Sequence, residues 1–136
     1  MRRSVVLLAA ALLTCSAPPV SVTPTPPPSG PPHVISVVAV SDSITINFSR
    51  PMLQMGEASG VEMPGNYQLD SRALPRGAKI TCHTPDCLDV GIALPGGTLA
   101  IGTTHTLRIA NAVAQSGPSL VPDPTTATFT VTARRD

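Results

Sequence analysis

The sequence is short of aromatic residues. It has no tryptophan, one tyrosine and two phenylalanines among 136 residues. Phe48, Tyr67 and Phe129 all fall at positions that the alternating pattern around them turns towards a core. Because sugar binding by ring stacking relies on exposed aromatic rings, we do not expect a carbohydrate-binding platform.

Catalytic patterns are missing as well. The sequence contains no H-E-x-x-H, G-x-S-x-G or P-loop motif, and no D-x-[DN]-x-[DN]-G calcium loop. Its three histidines, His33, His83 and His105, lie on different segments. We therefore predict a protein that is not an enzyme and has neither catalytic residues nor a cofactor.

An excess of one charge is absent too. Nine Lys and Arg residues nearly balance eight Asp and Glu residues, and Arg2 and Arg3 belong to a segment that we expect to be removed. The remaining basic residues are scattered from Arg50 to Arg135. A nucleic-acid-binding protein needs a basic stripe that neutralises phosphates, so we do not expect nucleic acid as a partner.

The one long apolar run lies at the N-terminus and is too short to span a membrane. Met1-Arg2-Arg3-Ser4 is followed by nine apolar residues, Val5 to Leu13, whereas a transmembrane helix needs about 20. A positive start followed by an apolar run of this length is typical of a signal peptide. We therefore predict that residues 1–15 direct export.

The end of this run, Leu12-Leu13-Thr14-Cys15, resembles the bacterial lipobox, with Thr14 in place of the usual Gly, Ala or Ser. The resemblance implies that Cys15 receives a lipid that anchors the mature chain to a membrane. Ser16 follows in place of the Asp that favours inner-membrane retention, so the expected location is the outer membrane, facing the periplasm or the cell surface. The alternative is a secreted protein without lipid, in which Cys15 stays in a signal that is discarded or uncleaved.

Proline dominates the next segment, 16–32, with eight prolines in seventeen residues. Such a segment forms neither helix nor sheet and adopts an extended polyproline II conformation. At about 3.1 Å per residue it reaches roughly 50 Å. We predict a disordered linker, here called the tether; a proline-rich ligand for SH3-like modules is the alternative.

From His33 onward, short apolar stretches alternate with polar residues, as in Ile44, Ile46 and Phe48. No window carries apolar residues at helical spacing without an interrupting Pro or Gly. The pattern predicts a single domain over 33–136, an all-β, immunoglobulin-like sandwich of about seven strands. The expected strands lie near 34–40, 43–49, 66–70, 78–83, 87–94, 104–113 and 125–132, and the longest loops are 50–65 and 114–124.

Four segments carry a family resemblance: 44–52, which ends in Phe48-Ser49-Arg50-Pro51-Met52, then Asn66-Tyr67-Gln68-Leu69, and finally 102–109 and 127–131. Together they resemble the bacterial Ig-like domain of the S-layer SbsA type over 33–132. The resemblance implies a non-enzymatic domain with a structural or protein-binding role in the cell envelope.

The number of cysteines, three, agrees with an exported and lipidated protein. If Cys15 takes lipid, Cys82 and Cys87 remain as an even pair across a four-residue loop, and exported proteins favour disulfides. We predict a disulfide that contributes about 2 kcal/mol. A metal site of Cys82, His83 and Cys87 is the alternative, but its remaining ligands have no evident spacing, so we expect no metal.

The predicted function is therefore a lipid-anchored structural or protein-interaction module of the cell envelope. The partner and the oligomeric state are left open. Met52, Met55 and Met63 in the 50–65 loop form a candidate interaction loop, because thioether side chains suit adaptable surfaces. The competing hypothesis is a periplasmic carrier of a small ligand or metal, such as copper, for which His33 is a candidate ligand.

Overall fold

A computed structural model describes residues 30–55 and 58–135. The predicted signal peptide, Cys15 and most of the predicted tether lie outside these residues. The described part has eight β-strands, one 3₁₀ turn at Pro64–Asn66 and no α-helix. The strands are β1 (Val34–Val40), β2 (Ser43–Phe48), β3 (Tyr67–Leu69), β4 (Arg72–Ala73), β5 (Lys79–Cys82), β6 (Asp89–Ala93), β7 (Thr104–Ile109) and β8 (Thr125–Thr132).

The strands form a curled sheet of order β4-β3-β7-β8-β1-β2-β6-β5. Neighbours pair antiparallel except β1 and β8, which pair in parallel over a short stretch, Ala39 and Val40 with Val131 and Thr132. This short junction divides the sheet into two layers, β1-β2-β6-β5 and β4-β3-β7-β8, which form a β-sandwich. The all-β sandwich predicted from the sequence is confirmed.

All seven predicted strands are present, and two of them differ from the prediction by more than one residue at an end. The strand predicted over 104–113 ends at Ile109, and the strand predicted over 87–94 begins at Asp89. Cys87 and Asn111 have φ angles of 55° and 57°, a left-handed conformation that cannot continue a strand. The additional strand, β4, has only two residues, too few for an alternating pattern to show.

The core follows the alternation read from the sequence. In β2, Ile44, Ile46 and Phe48 are buried, whereas the residues between them are only partly buried. The other two aromatic residues, Tyr67 and Phe129, are 1% and 5% exposed. The expectation that every aromatic ring points inward is therefore confirmed.

Strand directions divide the loops between two ends of the sandwich. One end, the tether-side pole, is formed by residues 30–33 and by the loops 49–66, 83–88 and 110–124. Backbone hydrogen bonds join these segments: Ser49 N–H donates to His33 O, Met52 N–H to Asp86 O and Val121 N–H to Pro32 O. Pro32 is itself buried, so the sandwich begins just before the predicted boundary at His33.

The opposite end, the far pole, contains the turns 41–42 and 70–71, the segments 74–78 and 94–103 and the C-terminal residues 133–135. Leu94 N–H donates to Asp42 O, and Ser41 N–H donates to Thr132 O. Because β1 leaves the tether-side pole and β8 runs parallel to it, the chain enters the sandwich at one pole and ends at the other.

Candidate functional site at the poles of the sandwich

The disulfide closes the 83–88 loop of the tether-side pole. The Cys82 and Cys87 sulfurs are bonded, with their Cα atoms 4.9 Å apart, so the predicted pairing is confirmed. Cys87 is fully buried, and its N–H donates to Thr84 O at 3.0 Å. The bridge therefore fixes a tight hairpin at the end of the edge strand β5.

This hairpin is tied to the long 49–66 loop. Glu62 Oε1 accepts hydrogen bonds from Cys82 N at 2.9 Å and from Gln54 Nε2 at 3.1 Å. Cys82 belongs to β5, whose outer edge has no neighbouring strand in the sheet. Because exposed strand edges are templates for pairing with other chains, the Glu62 carboxylate covers one end of an edge that would otherwise be open.

Asn66 and Tyr67 hold the same loop from its other side. The Asn66 side-chain amide donates to Ala58 O at 2.7 Å and to Gly60 O at 3.0 Å. The Tyr67 hydroxyl donates to Val61 O, and burial raises the pKa of Tyr67, so this donor stays protonated. The Asn-Tyr pair in the sequence is thus a clamp for residues 58–61, a role that the sequence pattern did not reveal.

The candidate interaction loop is only partly at the surface. Met52 is fully buried, so it belongs to the core and not to an exposed surface. Met55 is 65% exposed and Met63 is 36% exposed. Of the three methionines, these two are therefore accessible to a partner.

His83 lies against the backbone of the neighbouring strand. Its Nδ1 is 3.0 Å from Asp89 Oδ1, and its Nε2 would be 2.2 Å from a Cβ atom placed on Gly91. No side chain fits between the imidazole and β6, so Gly91 is what allows the ring to rest there.

We therefore expect the effect of Gly91→Ala to depend on His83. In the wild type the methyl group displaces the ring and breaks its bond to Asp89, which costs about 1 kcal/mol of unfolding free energy. In a His83→Ala background the same change is neutral or stabilises by about 0.5 kcal/mol, since glycine weakens a strand interior. Urea unfolding of the four proteins of this double-mutant cycle checks the coupling; equal effects in both backgrounds would show that the ring does not rest on Gly91.

Two aspartates organise the far pole through backbone donors. Asp42 accepts from Leu99 N at 2.8 Å and from Gly97 N at 3.0 Å. These hydrogen bonds, that from Leu99 above all, lower the pKa of the Asp42 carboxyl. Asp42 therefore fixes the 94–103 segment onto the β1–β2 turn.

Asp70 pairs with His105 at this pole. Its Oδ2 is 2.6 Å from His105 Nδ1, and its Oδ1 accepts from Thr106 N at 2.9 Å. The hydrogen bond with His105 is the main cause that lowers the pKa of Asp70, followed by that from Thr106. The His105 side chain is only 17% exposed, and its ring stacks on Phe129 with centroids 5.9 Å apart.

The lowered pKa of Asp70 predicts a pH-dependent contribution to stability. A carboxyl whose pKa falls below its ordinary 3.8 on folding stabilises the fold above that value and loses this contribution as pH falls through the folded pKa. Asp70→Asn should therefore lower the melting temperature at about pH 7, and the difference from wild type should shrink at about pH 2. Calorimetry at both pH values checks this; an equal difference at both would contradict it.

Asp70, His105 and Thr103 are linked in the order carboxylate, imidazole, hydroxyl, as in a catalytic triad. The hydroxyl proton, however, does not point at the imidazole. His105 Nε2 is 2.7 Å from Thr103 Oγ1, while the same hydroxyl donates to Ala100 O. A nucleophilic hydroxyl must give its proton to the histidine, and the Thr103 proton is engaged by a carbonyl. The contacts act to hold the 100–103 turn. In the sequence, the position of His105 in alternation with Leu107 and Ile109 was the available signal that it points inward.

A shallow groove of about 430 Å³ opens beside this cluster at the far pole. Asp70, Arg72, Thr98 and His105 supply its polar lining, and Leu69, Ala73 and Pro75 its apolar lining.

Metal ligands are not assembled within residues 30–55 and 58–135, where no group of three or more His, Cys, Asp or Glu side chains could hold an ion. His33 is exposed at the start of the sandwich, and its N–H donates to Ser49 Oγ at 2.9 Å. Helices that could cross a membrane are likewise not found in the part of the chain that the structure describes.

No family model matches the sequence, and no curated protein does so either. Three solved structures of the bacterial S-layer protein SbsC do share its fold. The N-terminal part of SbsC superposes with a TM-score of 0.55 at 21% identity over 74% of this chain and 23% of that one. Domains 1–6 give 0.56 at 21% identity over 76% of this chain, and a recombinant SbsC fragment gives 0.55 at 23% identity over 74%.

These similarities define the chain as a β-sandwich domain of the kind that SbsC contains. The chain spans only 14% of the two longer SbsC structures, so it corresponds to a small part of that protein. At 21–23% identity the likeness concerns the fold. The resemblance to the SbsA type read from the sequence is thus supported as an S-layer-like fold.

Proposed function

We propose that this protein is a non-enzymatic, immunoglobulin-like module of the cell envelope that is anchored to a membrane through lipid on Cys15 and serves a structural or protein-binding role. The observation that carries the proposal is the sandwich fold shared with the S-layer protein SbsC. The division of the strands into β1-β2-β6-β5 and β4-β3-β7-β8 supports the immunoglobulin type, whose layers contain strands ABED and CFG.

The polar side chains that could perform chemistry are engaged in holding loops. Asp42 and Asp70 bind backbone N–H groups, and the Thr103 hydroxyl is bonded to a carbonyl. The Asn66 amide does the same for residues 58–60. A site whose donors and acceptors are already satisfied within the fold presents a rigid surface, which suits a binding module better than a catalyst.

The point where the chain enters the sandwich gives the anchored module an orientation. Pro32 is buried at the tether-side pole, and the predicted tether reaches roughly 50 Å from Cys15. The far pole, with the groove beside Arg72, therefore faces away from the point of attachment.

The anchor is tested by membrane fractionation of cells that produce the full chain. We expect the wild type in the membrane fraction, released by detergent but not by high salt. Cys15→Ser should shift it to the soluble exported fraction, because a lipid chain supplies the membrane affinity. The matched control, Cys82→Ser with Cys87→Ser, keeps Cys15 and should stay with the membrane. Soluble wild-type protein, or membrane-bound Cys15→Ser protein from which the signal peptide has been cleaved, would contradict the anchor.

The metal content of the purified mature chain distinguishes the proposed module from the competing carrier of a small ligand or metal. The module proposed here holds no stoichiometric copper or zinc. Bound metal near one equivalent that disappears with His33→Ala or His83→Ala would replace this proposal with a carrier function.

A further inference from the structure

Charge is segregated between the two poles, although the sequence as a whole is nearly neutral. Within the described residues, the tether-side pole and the strand ends that border it have two arginines, Arg50 and Arg108, and four carboxylates, those of Glu62, Asp86, Asp89 and Asp123. The far pole and the strand ends that border it have two carboxylates, Asp42 and Asp70, and five exposed cations, Arg72, Arg76, Lys79, Arg134 and Arg135. Counted over residues 30–55 and 58–135, these groups make the tether-side pole net negative and the far pole net positive.

The far-pole cations are available for a partner. None of the five forms a salt bridge with any residue in 30–55 or 58–135, where both salt bridges join histidine to aspartate. The two carboxylates of this pole are occupied instead, because each uses both oxygens on N–H donors of the fold. The five cations outnumber these two ionised carboxylates, so the far pole carries a net positive charge.

The tether-side carboxylates still have oxygens that can accept further hydrogen bonds. Glu62, Asp89 and Asp123 each accept hydrogen bonds from described residues on one oxygen only. Of the two cations of this pole, Arg50 donates to Gly30 O and to Ser116 Oγ, whereas Arg108 is exposed. The outward character of this pole is acidic.

We infer that the partner of the far pole is the tether-side pole of a second copy of this chain, so that copies associate head to tail. This inference deepens the proposed protein-binding role by naming the partner. The two poles are complementary in charge, and each copy carries both of them. A contact between unlike surfaces of identical chains is heterologous, so it leaves a free pole at each end and can propagate into a row.

The tether permits such a contact on one membrane. β8, the longest strand, has eight residues and spans roughly 27 Å at 3.4 Å per residue. Residues 16–29 of the predicted tether, at about 3.1 Å per residue, reach roughly 40 Å, which is longer than this, so two copies can be displaced by one sandwich length while both remain anchored. The groove beside Arg72 gives the basic pole a concave surface for a carboxylate-bearing loop.

The test is sedimentation velocity of the mature chain carrying Cys15→Ser, which removes the contribution of lipid. We expect concentration-dependent association at about 20 mM salt and at least about tenfold weaker association at about 500 mM, because salt screens the charges of exposed surfaces. A monomer in both conditions would overturn the inference, as would association that salt does not alter.

Two sets of charge reversals locate the contact. Arg72→Glu with Arg76→Glu and Lys79→Glu removes the basic pole, and Glu62→Lys with Asp89→Lys removes the acidic one. Each set alone should abolish association, and an equimolar mixture should restore it, because each variant then supplies the surface that the other needs. A mixture that stays monomeric would overturn the inference.

Controls keep the result interpretable. Arg108→Glu adds negative charge to the acidic pole, at the tether-side end of β7, and should not weaken association. If Glu62→Lys with Asp89→Lys fails to fold by circular dichroism, Glu62→Gln with Asp89→Asn keeps the acceptors, removes the charges and should weaken association. If the basic-pole reversal abolishes retention on immobilised polyglutamate but leaves sedimentation unchanged, the partner is an acidic polymer and the inference is wrong. None of these outcomes bears on Cys15, so the anchor stands or fails separately.

Discussion

Asn66→Asp should destabilise the protein by about 3 kcal/mol, the largest effect that we expect from a single substitution. The wild-type amide donates two hydrogen bonds, to the carbonyls of Ala58 and Gly60, and Asn66 is only 6% exposed. A carboxylate has no proton to donate, so the Ala58 carbonyl loses this partner, the Gly60 carbonyl keeps only Met63 N–H, and a negative charge is placed against both. Each buried polar group left without a partner costs about 1–3 kcal/mol.

Urea unfolding followed by circular dichroism measures this loss. Asn47→Asp is the matched control, because Asn47 also donates through its side chain, to Ser36 Oγ at 3.0 Å, but is only partly buried. The control should lose less than about 1 kcal/mol. Equal losses for the two variants would show that the clamp on residues 58–61 does not stabilise the fold.

Removing the disulfide should have the second-largest effect. Cys82→Ser with Cys87→Ala, the alanine chosen because Cys87 is fully buried, should lower the free energy of unfolding by about 2 kcal/mol through the greater freedom of the unfolded chain. The hairpin also holds the 49–66 loop through Glu62 and Asp86, so the loop should become more sensitive to proteolysis.

A reducing agent provides an internal comparison. Wild-type protein in dithiothreitol should lose about the same stability as the variant, and the variant should not respond to the reagent. If oxidised wild type and variant unfold at the same urea concentration, the bridge contributes nothing to stability.

Most of the fold could be predicted from patterns of neighbouring residues in the sequence. Alternation is a property of neighbouring residues, so β2, with Ile44, Ile46 and Phe48 buried, was readable without any knowledge of its partners. The disulfide was readable because Cys82 and Cys87 flank one short loop. The burial of Met52 in the core could not be predicted. Met52 lies outside the named strands, where no alternation of apolar and polar residues marks the buried positions.

The features of the poles depend on contacts between distant parts of the chain. Asp70 and His105 meet because β3 pairs with β7 and places Leu69 opposite Leu107, a register that no local motif encodes. The charge pattern is similar: the cations look scattered along the sequence, yet the fold brings Arg72, Arg76 and Lys79 to the same end as Arg134 and Arg135. The sandwich topology, and not the composition, creates the two poles.

The central claim, a sandwich module held to a membrane by its N-terminus, is tested most directly by mass spectrometry of the mature protein. The account predicts that the chain begins at Cys15 and that this residue carries acyl chains. A chain that begins without modification near Ala17 or Pro18 would contradict it.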